Sequence, residues 1–443
     1  MKIGFVSLGC AKNLVNTEVM LKILADSGYE ITPDETEADI VVINTCGFIQ
    51  SAKEEAIENI LDVAYLKSHG KLRGIVVCGC LCERYRSEIL DEMPEVDALL
   101  GAGSYHKIAE AVAAVARGEK YTSFEDREKA PLGGDRVLTT PEYTAYLKVA
   151  EGCDNRCTYC AIPMIRGRMR SRTVEDLVAE AKNLEALGVR ELNLIAQDTS
   201  RYGLDLYGKY MLTELVRALC RETSIPWIRL LYLYPDKITD ELIAEIRDND
   251  RVCKYVDLPV QHINERVLSA MNRHGGGELI RSVIEKLRRE IPGVTIRTTV
   301  IAGFPGETED EFAELCEFVK ETKFDRFGAF AYSQEEGTAA AAFDGQLDEQ
   351  EKQDRCDALM RVQLAMSEKL LKEKIGAQIE VLCEGYDTVS GVYFGRSRAD
   401  APDVDGKVYF TAEKKIPEGC FVQVEITEAL DYDLFGRALE GIK

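Results

Sequence analysis

Six short apolar segments between residues 143 and 338 constrain the fold more than any other feature of this chain. TAYLKVAEG, ELNLIAQD, IPWIRLLYLYP, CKYVDLPVQ, TIRTTVIAGFPG and FDRFGAFAYS are rich in β-branched or aromatic residues and bounded by turn residues, the pattern of buried strands. Amphipathic stretches such as VEDLVAEAKNLEALG and EDEFAELCEFVKETK separate them. Six βα units in succession predict a barrel or partial barrel with its chemistry at the C-terminal ends of the strands.

Different patterns flank this block. Residues 1–120 alternate KIGFVSL, ADIVVIN, RGIVVCG and VDALLG with TEVMLKILADSG, SAKEEAIENILDVAYLKSHG and SYHKIAEAVAAVARG, which predicts a parallel sheet covered on both faces. Residues 121–140 lose the alternation and read as a linker or strap. A helical stretch over 339–375 is expected to brace the barrel, and the tail carries short β patterns separated by turn signals. The expected organisation is an α/β multidomain chain: an N-terminal open parallel α/β sheet over 1–125, a partial (βα)6 barrel over 139–372, and a small five-stranded antiparallel β-barrel over 376–443.

The N-terminus lacks the basic-then-apolar layout of a signal peptide, and no apolar run is long enough to span a bilayer. The expectation is a cytoplasmic protein without membrane contact. In that reducing compartment clusters among the 14 cysteines favour metal or redox chemistry over disulfides. Isolated ones, such as Cys220, Cys316 and Cys356, lie in helical patterns and read as small buried apolar residues. A net charge of −22 argues against a broad grip on nucleic acid and suits a basic partner.

The first cysteine cluster is GCDNRCTYC, residues 152–160, directly after the first barrel strand. Three thiolates, Cys153, Cys157 and Cys160, can hold three irons of a [4Fe–4S] cluster and leave the fourth open. A structural zinc site would need a distant fourth ligand; the position at the mouth of a barrel favours the cluster. The spacing, with Tyr159 before the last cysteine, resembles the C-x3-C-x-aromatic-C motif of the radical S-adenosylmethionine (SAM) superfamily. That resemblance implies that SAM chelates the open iron and that one electron from the cluster cleaves it to a 5′-deoxyadenosyl radical. It also implies cofactor contacts: Gln197 and Asp198 for the amino group, Arg297 and Thr298 for the carboxylate or ribose, and a glycine-rich turn, AGFPGET with Gly303, on the adenine side. Polar strand ends and Gly-Pro turns occur in any barrel, so each has a plain structural alternative.

A second trio is dispersed. Three N-terminal strands stop at Cys10, Cys46 and Cys80, and in an open parallel sheet ligands bind outside the carboxyl ends of the strands. Cysteines are common in buried strands, but three at equivalent ends are less expected by chance. Cys78 and Cys82 compete with Cys80 on spacing; Cys78 falls inside the apolar strand and Cys82 opens the next segment, which leaves Cys80 at the turn. The whole arrangement resembles the methylthiotransferases, which carry an N-terminal cluster domain, a radical barrel and a C-terminal TRAM domain. The resemblance implies two [4Fe–4S] clusters, the auxiliary one held by Cys10, Cys46 and Cys80 and carrying the sulfur to be inserted. SAM then serves as both methyl donor and radical source, and an electron donor such as flavodoxin or ferredoxin is required.

SLGCAKNLVNTE, NTCGFIQSAKEEAI, AQDTSRYG, LPVQH and ALDYDLFGRAL resemble the RimO branch, which modifies the β-carbon of an aspartate in small ribosomal subunit protein twelve. The alternative branch, MiaB-like, modifies a tRNA adenosine; a non-catalytic ribosome-associated iron–sulfur module is a third reading. Over 376–443 the chain has 7 Lys or Arg against 13 Asp or Glu, a balance of −6. An RNA-binding barrel would be expected to present a basic face, whereas an acidic one suits a basic ribosomal protein. ADAPDVDG (399–406) is a candidate acidic loop for that contact or a solvated surface loop. The basic run IRGRMRSR (165–172) offers Arg166 or Arg168 to attract the target aspartate, or a surface for RNA.

Overall fold

The structure, a computed structural model, describes residues 1–442. The N-terminal sheet contains β1 (Lys2–Ser7), β2 (Glu30–Thr32), β3 (Ile40–Thr45), β4 (Gly74–Gly79), β5 (Ala98–Leu100) and β6 (Tyr121–Ser123) in the order β2-β1-β3-β4-β5-β6, every pair parallel. All six residues of β3 and of β4 are buried, because helices cover both faces. One face packs Met20, Leu24, Ile108 and Val112 against Ile40, Val42 and Val76. The other packs Ile60, Val63 and Leu81 against Val41, Ile43 and Val77. β1 has β2 on one side and β3 on the other, so the winding reverses there and opens a crevice at the carboxyl ends of β1 and β3.

β2 and β6, the two edges, are three residues long. Such segments are too short to show periodicity, and Tyr121–Ser123 lies in the stretch expected to be linker. The rest of that stretch is a strap. Val137 N–H donates to Glu18 O, Thr139 N–H donates to the Glu18 carboxylate at 2.9 Å, and Arg136 spans Glu18 and Glu180.

The central sheet runs β7 (Thr144–Lys148), β8 (Glu191–Ile195), β9 (Trp227–Leu230), β10 (Val252–Asp257), β11 (Thr295–Ala302) and β12 (Arg326–Ala331), all parallel and in sequence order. β7 and β12 do not pair, so the barrel is open. Its outer faces and surrounding helices form the largest core, which takes in Cys356 and, at its margin, Cys220 and Cys316. The bracing helix is shorter than expected, Glu349–Lys372, because Asp348 caps it by accepting from Glu351 N–H.

The tail closes a barrel from β13 (Gln378–Asp387), β14 (Val392–Ser397), β15 (Val408–Thr411), β16 (Phe421–Ala429) and β17 (Leu434–Ile442). Four pairings are antiparallel; β15 and β17 pair in parallel, a departure from the all-antiparallel expectation. The tail packs on the inner face of the open barrel. Trp227 meets Phe421 with ring centroids 4.8 Å apart, and Glu191 binds Arg229 and Arg396.

The acidic loop 399–406 is largely not a free surface. Asp400 pairs with Arg326, the Asp405 carboxylate accepts from Tyr255 Oη at 2.5 Å, and Asp403 accepts from Tyr146 Oη at 3.0 Å. Its charges answer barrel cations and hydroxyls, which periodicity in the tail does not reveal.

Candidate active site

The first trio lies in the loop after β7. Gly152 starts it with φ 77, and a Cβ there would stand 2.0 Å from Arg168 O, so only glycine lets the two passes of chain touch. Cys153 and Cys157 are buried and Cys160 half-buried. Cys153 Sγ accepts from Asn155 Nδ2 at 3.5 Å, and Asn155 also donates to Asp198 at 2.7 Å. Cys157 Sγ lies 4.0 Å from Tyr234 Oη and faces the Arg273 guanidinium, which stacks 4.1 Å above the Tyr234 ring. Burial pushes the Cys153 thiol up to about 11 and raises Cys160 as well, although backbone N–H groups of Asn155 and Ile162 point at the two sulfurs. Such thiols shed their protons when a cation takes the sulfur.

The second trio converges at the crevice of the N-terminal sheet. Cys10 is the N-cap of the helix Ala11–Asp26, Cys46 follows β3, and Cys80 follows β4. Each has a glycine beside it, and close approach explains why. A Cβ on Gly9 would stand 2.8 Å from Cys46 Cβ; one on Gly47 would stand 2.8 Å from the Leu81 backbone; one on Gly79, at φ 98, would stand 2.5 Å from Asn44 Oδ1. The other two candidates point elsewhere. Cys78 packs with Met20 in one core and Cys82 in the other. Burial, with the neighbouring Cys80 thiol, pushes Cys46 up to about 12. Cys10 is the exposed member as a residue, but protein crowds its thiol; the Lys12 and Arg166 cations, with the Asn13 and Lys12 N–H groups, outweigh that desolvation and lower the thiol below its usual value.

The two trios share a wall. Cys80 packs on Ala161 and Ile165, in the segment immediately after Cys160. Arg166, at the end of the helix Ile162–Arg166, is 3% exposed and spans the boundary. It donates to Cys80 Sγ at 3.2 Å, to Asn13 Oδ1 at 3.1 Å and to Glu151 Oε1 at 3.3 Å. Lys148 completes the junction with Glu151 at 2.8 Å and Asn16 at 2.5 Å. Despite burial, these cations hold the Glu151 carboxyl down at about 2. At the rim Glu335, after β12, takes Arg84 at 2.6 Å and Lys53 at 3.1 Å from the N-terminal domain.

The donor chemistry fits iron–sulfur clusters: two sets of three thiols, each with N–H donors and a buried guanidinium against one sulfur. Among the described residues no three His, Cys, Asp or Glu side chains lie close enough to share one metal ion. A four-iron cluster takes each thiolate on a different iron and so accepts wider spacing.

The chain matches Uncharacterized protein family UPF0004 over residues 2–101, the Radical SAM superfamily over 147–319 and the TRAM domain over 375–439. The ribosomal protein uS12 methylthiotransferase RimO of Desulforamulus reducens is 50% identical over 442 residues, covering 98% of this chain and 99% of that protein. Its namesake from a Thermoanaerobacter strain is 48% identical, covering 98% and 99%. The chain belongs to the RimO methylthiotransferase family. Among solved structures, the radical SAM methyltransferase TsrM from Kitasatospora setae matches with a TM-score of 0.55 at 14% identity, covering 87% of this chain and 79% of that one. The radical SAM enzyme OxsB matches at 0.51 and 11%, covering 80% and 56%. These two are likenesses of fold alone.

Within this RimO-family fold Tyr159, Gln197, Asp198 and Gly303 lie in loops after barrel strands, whereas Arg297 and Thr298 lie inside β11. Tyr159 packs beside Val267, Met271, Phe304 and Tyr332. Gln197 Nε2 donates to Glu151 at 3.3 Å, and Asp198, fully buried, accepts from Asn155 and Ser200. Arg297 is held by Asp257 at 3.1 Å and Asp405 at 3.7 Å, carboxylates that compete with any other anion. Thr298 Oγ1 donates to Leu258 O at 2.8 Å. Gly303 N–H donates to Glu307 at 3.1 Å, and a Cβ there would strike Lys352. Arg166 is engaged as described and Arg168 is exposed beside Asp154, so Arg166 has no free face for a substrate. Sequence reasoning missed Arg273, which sits in an undistinguished NRHGGG turn, and Lys12, whose only signal is its place two residues after Cys10.

Proposed function

We propose that this chain methylthiolates the β-carbon of an aspartate in small ribosomal subunit protein uS12, using SAM and two [4Fe–4S] clusters. The observation that carries the reading is the shared wall: a trio at the barrel mouth and a trio at the sheet crevice meet through Cys80, Ala161 and Arg166. In this reading Cys153, Cys157 and Cys160 hold the radical cluster, and Cys10, Cys46 and Cys80 hold the auxiliary one. SAM bound at the first cluster supplies a carbon radical able to take hydrogen from a weakly activated C–H bond, which no acid–base side chain does.

The chain's own residues prepare the site. Arg273 and Arg166 stabilise thiolate charge at Cys157 and Cys80, and the aimed N–H groups do the same at the other sulfurs. Tyr159 with Val267, Met271, Phe304 and Tyr332 forms an apolar wall that keeps water from a reactive centre. Gln197, Asp198 and the Gly303 turn are assigned to the cofactor's side of the mouth, with Thr298 and Arg297 deeper in β11, where Asp257 and Asp405 already hold Arg297. Among the described residues no helix is long and apolar enough to cross a membrane, and we place the enzyme in the cytoplasm, where a flavodoxin or ferredoxin would supply electrons.

Leaving out Asp400, Asp403 and Asp405, which the barrel engages, residues 376–443 keep 10 Asp or Glu against 7 Lys or Arg, a balance of −3 that supports a basic protein substrate over tRNA. Mass spectrometry of uS12 and of tRNA from cells lacking this gene tests the reading. Loss of a methylthio group from uS12 is expected; loss from tRNA with uS12 unchanged would overturn it.

A further inference from the structure

The Lys12 ammonium, whose charge acts on the Cys10 thiol, makes no ion pair of its own. The side chain is buried, at 7% exposure. Every other buried lysine meets a carboxylate: Lys53 meets Glu335, Lys148 meets Glu151, Lys237 meets Asp236 and Asp198, and Lys352 meets Glu349. Lys12 alone, among the described residues, has none; its Nζ lies 3.2 Å from the centroid of the Tyr232 ring. The stem is buried, but the ammonium, which makes no hydrogen bond, is not among the buried polar atoms left without a partner, so its tip stays open on the side away from the ring.

Its position also favours an anion. Lys12 occupies the first turn of the helix Ala11–Asp26, which carries no acidic residue there. That end of a helix is electropositive and favours anions, so a lysine there works against local stability and towards anion binding. Tyr232, just past β9, has φ 61, a conformation uncommon for a bulky side chain. Its N–H is anchored on Asp257 Oδ2 at 2.8 Å. Strain of this kind persists where surrounding structure imposes it, commonly at functional sites. The ring thus reaches from the barrel mouth to the lysine beside Cys10, the exposed cysteine of its trio.

We propose that Lys12, backed by Tyr232 and the helix N-terminus, binds the carboxylate of the target aspartate. The inference rests on the aspartate reading above and deepens it by naming the group that selects the substrate. The aspartate β-carbon is bonded directly to its carboxylate carbon. Gripping that carboxylate at Lys12 therefore holds the reacting carbon between the second trio, which begins at Cys10, and the barrel mouth, to which Tyr232 belongs.

The test uses the reconstituted full-length enzyme and two uS12 peptides, one with the target aspartate and one with asparagine in its place. Wild type is expected to bind the aspartate peptide about tenfold or more tightly, the effect of one charge-assisted hydrogen bond. Lys12→Met is expected to bind both peptides alike, with iron content, visible absorption and SAM affinity as in wild type; Lys12→Arg is expected to keep part of the preference. The proposal is overturned if Lys12→Met retains the preference, or if wild type modifies the aspartate peptide without preferring it in binding. Loss of SAM affinity in Lys12→Met with the peptide preference intact would assign the lysine to the cofactor's carboxylate instead. Loss of iron in Lys12→Met but not in Lys12→Arg would assign it to the cluster, also against the proposal. If wild type neither binds nor modifies either peptide, the aspartate reading itself has failed.

Discussion

Glu191→Gln is expected to loosen the tail barrel from the radical barrel. Glu191 Oε1 accepts from Arg229 Nε at 2.9 Å and from Arg396 Nη1 at 3.1 Å, while Oε2 accepts from Arg396 Nη2 at 2.5 Å. The carboxylate and Arg229 are fully buried and Arg396 is 2% exposed. Burial opposes the charge, but Arg396 and Arg229 prevail and hold the carboxyl at about 2 against an ordinary 4.5. That difference corresponds to about 3 kcal/mol at ~1.4 kcal/mol per pH unit, in line with the ~3–5 kcal/mol seen when one partner of a buried pair is removed.

Because the folded value is the lower one, this stabilisation is complete above pH 4.5 and disappears as pH falls from there through about 2. Glu191→Gln should therefore cost about 3 kcal/mol in urea unfolding at pH 7 and lose its disadvantage in acid. It should also speed tryptic cleavage at the exposed Lys372 and Lys374, where the bracing helix gives way to β13. A cost under ~0.5 kcal/mol at pH 7, the range of an ordinary surface change, would refute the reasoning.

Three further outcomes follow from the site. Gly79→Ala places a methyl group 2.5 Å from Asn44 Oδ1 at φ 98. It should cost more than ~1 kcal/mol in denaturant unfolding and lower iron retention. Arg166→Met strips the cation from Cys80 and Glu151; the electron paramagnetic resonance signal of the second cluster should weaken while that of the first remains. Glu335→Gln removes the buried charge shared by Arg84 and Lys53, and hydrogen exchange should rise in the first turns of the helix Gln50–His69 by an amount equivalent to ~1–3 kcal/mol of local opening.

The long-range architecture was legible because buried strands and amphipathic helices leave period and length in the sequence: β3 and β4 read as IVVINT and GIVVCG. β2 and β6 were not legible, since three residues at a sheet edge carry no period. The first trio was visible as spacing. The second was visible only by combining strand ends with the rule for open sheets, and the core positions of Cys78 and Cys82 give the structural reason that Cys80 is the one at the crevice. What surrounds the trios was invisible. Arg273, Arg166 and Lys12 lie far in sequence from at least part of what they touch, and single-chain spacing has no marker for such contacts. The acidic loop 399–406 shows the opposite failure: its composition suggested an exposed docking surface, but Arg326, Tyr255 and Tyr146 of the barrel answer its charges.

Iron and acid-labile sulfide analysis of the anaerobically reconstituted chain, beside a variant with Cys10→Ala, Cys46→Ala and Cys80→Ala together, tests the account at its centre. Two facing clusters predict about eight irons per chain in wild type and about four in the variant. About four irons in wild type, unchanged in the variant, would contradict it.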